Sequence, residues 1–455
     1  MAHFAEKVAA FVASSDYDDL PDADRCAVER SIFDTVGTML AGRTSAHGGM
    51  VEKFTAAAAF GPCTVVGSGF TRNAASAALA NGVFAHSDDF DDMGGYGHPS
   101  APIIAALLPA VESEARRGNR VDGRELVMAH AVGFELGAAL CGAGYDQYER
   151  CFHSTPVFGA LAATCAVARV MRLDEPTIAT AMALAASGAA GVGRSSGSMV
   201  KPFHVGHAAR NAIFSVVAAR NGADAAPDLF ESKGGFAQAL YGHKVPLDAI
   251  AERLGAPFTV NDTIFIKRFP CCGSNQSALS AVERLIGEHD VRADDVAEVV
   301  VHSMMETSPV LRFPEPSTGC SAKFSIQYVL ATMLLKRAVG IDDFRDEAVS
   351  DPAVRDLAAR VRPEVANRWD MRGATKHRGN AVSIRTRSGQ VLEAAVARTD
   401  MIGGPRNPIS DHALAEKFLR NAERSLGGQR AVAAAGAWRR VTDTDNVAAL
   451  MPLVA

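Results

Sequence analysis

Pro156-Val157-Phe158-Gly159-Ala160-Leu161-Ala162-Ala163-Thr164-Cys165-Ala166-Val167-Ala168-Arg169-Val170 carries one charged residue, and its apolar side chains fall on every face of a helix. A helix without a polar stripe has no solvent side and must be enclosed. This run and a similar one over 178–192 are shorter than the ~18 residues of a membrane span, so the enclosure is expected to be other helices. Residues 101–116, 125–140, 178–190 and 208–221 have the same alanine, valine and leucine content, separated by glycines or polar clusters. Upstream, Leu20-Pro21-Asp22 followed by Val28, Ile32, Val36 and Leu40 predicts an amphipathic helix ending near Gly42. The chain therefore reads as mainly α over its first two thirds.

After about Phe265 the pattern changes. Residues 296–303 have the β-branched content of a strand, and 381–387 with 391–399, joined across Ser388-Gly389-Gln390, predict a hairpin. Helical patterns at 321–338 and 352–361 lie between these strands, which indicates a compact α/β unit. The tail is helical again over 412–424 and is expected to return to the first body. There is no solenoid repeat, and the alanine-rich 431–437 is the single biased tract.

With 455 residues, 48% hydrophobic and 21% charged, the chain is an ordinary globular one of roughly two to three domains. A net charge of −5 with mixed signs supplies no basic face for a phosphate backbone, so a small molecule is expected as partner and nucleic acid is not. Met1-Ala2-His3-Phe4-Ala5-Glu6-Lys7 is not a basic segment leading into an apolar one, so no membrane and a cytoplasmic location are expected. Eight scattered cysteines give no disulfide framework. The adjacent Cys271-Cys272 lacks the C-x2-C spacing that lets two thiolates face one ion, which disfavours a metal there.

The chemistry concentrates in five segments. His86-Ser87-Asp88-Asp89-Phe90-Asp91-Asp92, closed by His98-Pro99-Ser100, places four aspartates within five positions; the fold must offset them with cations, N–H donors or a metal, unless the loop is merely solvated. Cys151-Phe152-His153-Ser154-Thr155-Pro156 puts an imidazole just before the enclosed helix, with Ser154 or Thr155 as its cap. Gly197-Ser198-Met199-Val200-Lys201-Pro202-Phe203-His204-Val205-Gly206-His207 sets a lysine among apolar neighbours, ahead of the 208–221 helix, where it needs a carboxylate partner. His204 and His207 could share a helical face and a metal, but no third ligand is in sight. Lys267-Arg268-Phe269-Pro270-Cys271-Cys272-Gly273-Ser274-Asn275-Gln276 and Cys320-Ser321-Ala322-Lys323-Phe324-Ser325-Ile326-Gln327-Tyr328 add cations and hydroxyls. Such groups suit a compact polycarboxylate and proton transfer next to one of its carboxylates. Asp88-Asp89-Phe90-Asp91-Asp92 and Asp342-Asp343-Phe344-Arg345-Asp346 also fit D-D-x-x-D, a magnesium-diphosphate pattern that requires both to line one helical bundle.

The order of these segments resembles the MmgE/PrpD family, which includes 2-methylcitrate dehydratases, cis-aconitate decarboxylases and iminodisuccinate epimerases. The resemblance runs nearly end to end: Phe33-Asp34-Thr35-Val36-Gly37, Ala80-Asn81-Gly82, Gly97-His98-Pro99-Ser100, Phe152-His153-Ser154-Thr155, Gly197 to Pro202, the Lys267 to Cys272 turn, Lys323 to Tyr328, Asn407-Pro408 and Lys417-Phe418. It implies a large all-helical domain over residues 1–266 to which 402–455 returns, a smaller α/β lid domain over 267–401, a homodimer, and neither metal nor organic cofactor. Carried over by position, Asp89, His98, His153 and Lys201 are the catalytic candidates, with Met93, Lys267, Gln276, Tyr328, Ser198 and His204 as substrate-binding candidates. Met93 stands where the decarboxylase branch has a threonine, and Gln276 aligns with a histidine of that branch.

The expected function is thus a cofactor-independent lyase or isomerase that removes a proton next to a carboxylate of a small di- or tricarboxylate. A 2-methylcitrate-type dehydration ranks first, epimerisation of an iminodisuccinate-like substrate second, and cis-aconitate-type decarboxylation third. Lys201 and His153 would stabilise the dianionic intermediate, His98 would be acid or base, and Asp89 would orient a neighbour or act as base itself. A non-catalytic carboxylate-binding protein is the expectation from another class.

Overall fold

The computed structural model describes residues 2–303, 310–365 and 379–455. The chain is mainly α, a large helical domain carrying a smaller α/β domain. Ser154–Val170 lies in the middle of the helical domain against Ser100–Arg116, Gly123–Gly142 and Val200–Arg220, and every one of its residues except Arg169 is buried. Gly123–Gly142 is long and apolar enough to cross a membrane, a length the sequence patterning understated at 125–140; here 72% of its apolar window is covered by the other helices.

Small residues set how closely these helices approach. A Cβ on Gly82 would lie 2.8 Å from Gly206 Cα, and one on Gly206 would lie 2.5 Å from the Leu79 carbonyl oxygen. Ala74–His86 and Val200–Arg220 therefore cross with their backbones nearly touching, which carries His86 at the end of one helix to Lys201 at the start of the other. Val200–Arg220 begins eight residues before the expected 208, so the Gly197 to His207 segment is largely helix and not a loop ahead of one. Pro202 does not prevent this, because a proline in the first turn removes an N–H that has no intrahelical acceptor.

The chain's last helices rejoin the first body. Phe418 of Asp411–Leu426 stacks on Phe33 of Asp22–Arg43 with ring centroids 4.2 Å apart, and the neighbouring Lys417 pairs with Asp34 at 2.7 Å, both buried.

The α/β domain is built on a four-stranded sheet in the order Val361–Val365, Val296–Ser303, Asn380–Thr386, Val391–Val396. The first pair is parallel and the other two antiparallel. Val299, Val301, Val382, Ile384, Leu392 and Ala394 face a core shared with Gln276–His289 and Ile326–Lys336. Two elements differ from expectation. The helical pattern at 352–361 stops at Ala358, and Val361, a β-branched residue, already opens a strand. The 321–338 pattern breaks into Gly319–Ala322 and Ile326–Lys336, with Ser325 Oγ capping the second by accepting from Tyr328 N at 3.1 Å; Lys323 sits at the break.

The two domains meet along the aspartate-rich loop. Met93 and Gly94 pair antiparallel with Phe265 and Ile264, Arg312 donates to the carbonyls of Arg194 and Ser196 at 2.6 Å, and Phe313 lies over Gly197. None of the eight cysteines is in a disulfide.

Candidate active site

The loop after Ala74–His86 folds inward instead of lying in solvent. Asp89 takes a left-handed conformation (φ +50°), which turns its carboxylate toward the helix starts. Gly97 has φ +124°, and a Cβ there would lie 2.4 Å from Thr155 Oγ1; this is the contact that lets His98 N donate to the same hydroxyl at 3.1 Å. His86 and His98 then stand edge to face, 4.3 Å apart. Asp91 holds both: its carboxylate is 2.9 Å and 3.0 Å from His86 Nδ1 and 3.3 Å from His98 Nδ1. All four aspartates are buried, which rules out the solvated-loop reading.

Lys201 enters this group from the start of Val200–Arg220. Its Nζ lies 2.6 Å from His86 Nε2, 2.9 Å from Asp89 Oδ2 and 3.3 Å from His98 Nε2. His86, Asp89, Asp91 and His98 have donor atoms all within 4.8 Å of one another, a spacing a metal ion could use. The Lys201 ammonium occupies the point between three of them, however, and supplies the positive charge that an ion would bring. Lys267 ion-pairs with the other oxygen of Asp89 and donates to its carbonyl at 2.7 Å. Lys323 donates to the Ser87 carbonyl at 2.8 Å and to Asp88 Oδ1 at 3.3 Å; Lys417 donates to Asp34 and to the Phe90 and Lys267 carbonyls. Four buried lysines thus offset the acids, and a buried charge so paired avoids most of its desolvation cost.

The protonation pattern follows. Burial pushes the imidazole of His98 down to about 3 and that of His204 to about 4, with the Lys201 ammonium adding to both; His86 and His153 are lowered by the same causes. The row of imidazoles is neutral at pH 7 and can accept protons. Asp89, despite burial, is held well below the usual carboxylate range by Lys201 and Lys267, so its lone pairs are committed and it orients Lys201. Asp92 differs: burial raises it to about 7, its Oδ1 accepts from Ser100 N at 3.2 Å, and its Oδ2 has no partner.

His153 Nδ1 is 3.3 Å from His204 Nδ1, and the His153 ring stands 6.4 Å from both His86 and His98, so these four imidazoles are contiguous. His153 itself is the residue that precedes the helix; Ser154 Oγ donates to Gln147 and Thr155 Oγ1 serves His98, so neither caps it as expected. Ser198 lies at the mouth of the small cavity beside Lys201.

Three substrate-binding candidates do other work. Met93 is buried among apolar residues of the α/β core and has no polar group to offer. Gln276 spends its amide on the Lys267 turn, donating to the carbonyls of Phe269 at 2.9 Å and Cys271 at 3.2 Å while accepting from Phe269 N. It shapes the turn that carries Lys267. Tyr328 donates its hydroxyl to the Asp343 carbonyl inside the α/β domain and packs on Phe344, so it braces that domain.

Burial raises the thiols of both Cys271 and Cys272. His204 is buried at His153, whereas His207 is exposed against Phe203. Asp342, the first residue of the second D-D-x-x-D, is already paired with Arg345 and with Arg424 of Asp411–Leu426. Residues the patterning did not put forward are His86 as an anchor of Lys201, Lys323 and Lys417 as buried counter-charges, and His47, which lines the cavity with Nε2 unpartnered. His47 sits in a glycine-containing helix, Ala46–Ala56, with nothing in its spacing to mark it.

A family model described as the MmgE/PrpD N-terminal domain matches residues 6–247, and one described as the MmgE/PrpD C-terminal domain matches 269–439. The chain belongs to the MmgE/PrpD family. Among its relatives, the cis-aconitate decarboxylase of Aspergillus terreus is 28% identical over 383 residues, covering 79% of this chain and 76% of that one. The human cis-aconitate decarboxylase is 28% identical over 362 residues (77% and 73%), and the mouse one 26% over 365 residues (77% and 72%). Within this family framework, Lys201 and the imidazoles come from the N-terminal match, and Lys267 falls in the short segment between the two matches.

Proposed function

We propose that the chain is a cofactor-independent lyase acting on a small tricarboxylate, and that its reaction is a dehydration of the 2-methylcitrate type. The observation that carries this reading is the Lys201 ammonium fixed within 3.3 Å of His86, Asp89 and His98, all buried: a cation beside neutral imidazoles, where a carboxylate can dock and its α-proton can be taken. Substrate carboxylates add negative charge to a dry site, and that charge raises the proton affinity of His98 from its low value when it is needed.

In the proposed step His98 takes the α-proton, and the electrons move into the adjacent carboxylate, where Lys201 balances the second negative charge. The imidazolium returns the proton to the departing hydroxyl. The C–H and C–O bonds break, a C=C bond forms, and water leaves with His98 neutral again. The cavity at Lys201 is about 10 Å³, room for one water molecule, so the α/β domain must swing away to admit substrate and close for the chemistry.

Loss of carbon dioxide from cis-aconitate is the second reading, favoured by the names of the curated relatives. Against it stand apolar Met93 and the committed amide of Gln276 at the positions where that branch has a threonine and a histidine. Epimerisation would use the same His98 and Lys201.

The test is proton NMR in deuterated water with citrate, 2-methylcitrate, cis-aconitate and iminodisuccinate, with and without a chelator. An unsaturated product from 2-methylcitrate, formed by wild type and lost in Lys201→Ala, is expected. Carbon dioxide release from cis-aconitate would select decarboxylation, and α-deuteration of iminodisuccinate would select epimerisation. If no substrate changes, the substrate lies outside this set or the fold is retained here without the chemistry.

A further inference from the structure

We infer that Asp91 is a positioning residue of the reaction: its one carboxylate holds His86 and His98 in the same tautomer, and so fixes the base and the Lys201 cation against each other. This rests on the lyase reading above. Asp91 is fully buried and meets both rings at Nδ1: it lies 2.9 Å and 3.0 Å from His86 through its two oxygens, and 3.3 Å from His98 through Oδ2.

The tautomers follow from what each partner is able to do. A neutral imidazole carries one N–H and one lone pair. His98 Nδ1 lies 3.1 Å from the Asp92 carbonyl oxygen, which only accepts, so the proton is on Nδ1 and the lone pair on Nε2. His86 Nε2 lies 2.6 Å from Lys201 Nζ, and an ammonium only donates, so here too Nε2 holds the lone pair and Nδ1 the proton. Both N–H groups therefore point at Asp91. His98 has the Asp92 carbonyl as a second acceptor, whereas among the described residues His86 Nδ1 has Asp91 alone.

Asp91 then acts along two arms. Through His98 it aims the Nε2 lone pair of the base, and when that ring takes the α-proton the new positive charge stands 3.3 Å from Asp91 Oδ2. Through His86 it places the cation, because His86 Nε2 is the nearest of the three groups around Lys201 Nζ, at 2.6 Å against 2.9 Å for Asp89 Oδ2 and 3.3 Å for His98 Nε2. The longest contact is the first to yield. A substrate carboxylate drawn to the ammonium thus frees the lone pair of His98 and leaves the His86 anchor in place.

The experiment is NMR of the full chain with 15N-labelled histidine, which separates a ring nitrogen bearing a proton from one bearing a lone pair; His86 and His98 are assigned by signal loss in His86→Gln and His98→Gln. In wild type both rings should carry the proton on Nδ1. Either ring found with its proton on Nε2 overturns the proposal, and that result needs no Asp91 variant to fold. Asp91→Asn leaves one acceptor oxygen where there were two, so His86 should show a mixture of tautomers, and kcat for the dehydration should fall about a hundredfold with KM within about twofold. His130, whose Nε2 meets Ser100 Oγ at 2.8 Å, should keep its signals and report an intact fold. Unchanged tautomers or unchanged kcat in folded Asp91→Asn overturns the proposal. Failure of wild type to release water from any of the four carboxylates bears on the lyase reading alone, and the ring spectra then decide whether Asp91 sets the tautomers.

Discussion

Replacing Lys201 with methionine should return His98 to the titration range of ordinary pH. The Lys201 Nζ to His98 Nε2 separation is 3.3 Å. A unit charge at that distance, at an effective dielectric constant of ~20, contributes ~5 kcal/mol, or between three and four pKa units. That is an upper limit, because burial is the larger cause of the depression from 6.5 to about 3 and Lys267 also contributes; both remain in the variant. A rise of ~2 units, to near 5, is the expectation. The assay is NMR of 13C-labelled imidazoles between pH 4.5 and 8, with the His98 signal assigned by its loss in His98→Gln. In wild type this signal should stay at its neutral position throughout. In Lys201→Met it should begin to move as pH falls below 6. A folded variant whose His98 signal does not move would show that burial and Lys267 set the imidazole's charge without Lys201, and the claim that Lys201 governs proton traffic here would be wrong.

Asp92→Asn should stabilise the protein at pH 8. The Asp92 carboxyl is raised from 3.8 to about 7, so the folded state binds its proton more tightly than the unfolded state does; that advantage is complete below pH 4 and is lost as pH rises to 7, by ~4 kcal/mol at most. Denaturation midpoints of the variant and wild type should therefore diverge between pH 4 and 7 and run parallel above; a constant gap would contradict a protonated Asp92. Lys323→Met leaves Asp88 buried without its cation and should cost ~3 kcal/mol or more, visible in thermal melts, with partial recovery when Asp88→Asn is added. Tyr328→Phe should lose ~1 kcal/mol of stability with the bond to the Asp343 carbonyl, yet leave turnover within about twofold; a large drop in turnover would restore Tyr328 as a substrate ligand.

The helical domain was legible because its helices are apolar on every face, a pattern that admits few solutions. The strands at Val296–Ser303 and Val391–Val396 were legible from the first one's run of valines and from the Ser388-Gly389-Gln390 turn that precedes the second. Val361–Val365 was not, since a five-residue strand directly after a helix has too little length to display a period of two. In the site, clustered aspartates announced that cations had to be found, and Lys201 was recognisable as a lysine among apolar neighbours. Lys417 was legible only through family resemblance: its partner Asp34 lies 383 positions away, and no local pattern encodes a contact of that span. Gln276 and Tyr328, expected at the substrate, hydrogen-bond the backbone, and the sequence could not show this for one reason. A polar side chain beside a site motif looks the same in sequence whether it faces the ligand or the backbone, and here both face the backbone.

The scattered origin of the counter-charges bears on how the protein is born. The aspartates at 88, 89 and 91 leave the ribosome long before Lys267 and Lys323, and Lys417, which ties Asp34 to the Phe90 and Lys267 carbonyls, comes later still. A nascent helical domain would have Lys201 as the one lysine of the four to set against its acidic knot, with Asp34 and Asp88 still lacking theirs. The order of synthesis therefore leaves Asp34 without its lysine until Asp411–Leu426 is made, and that helix then clasps the aspartate-rich loop to the Lys267 turn.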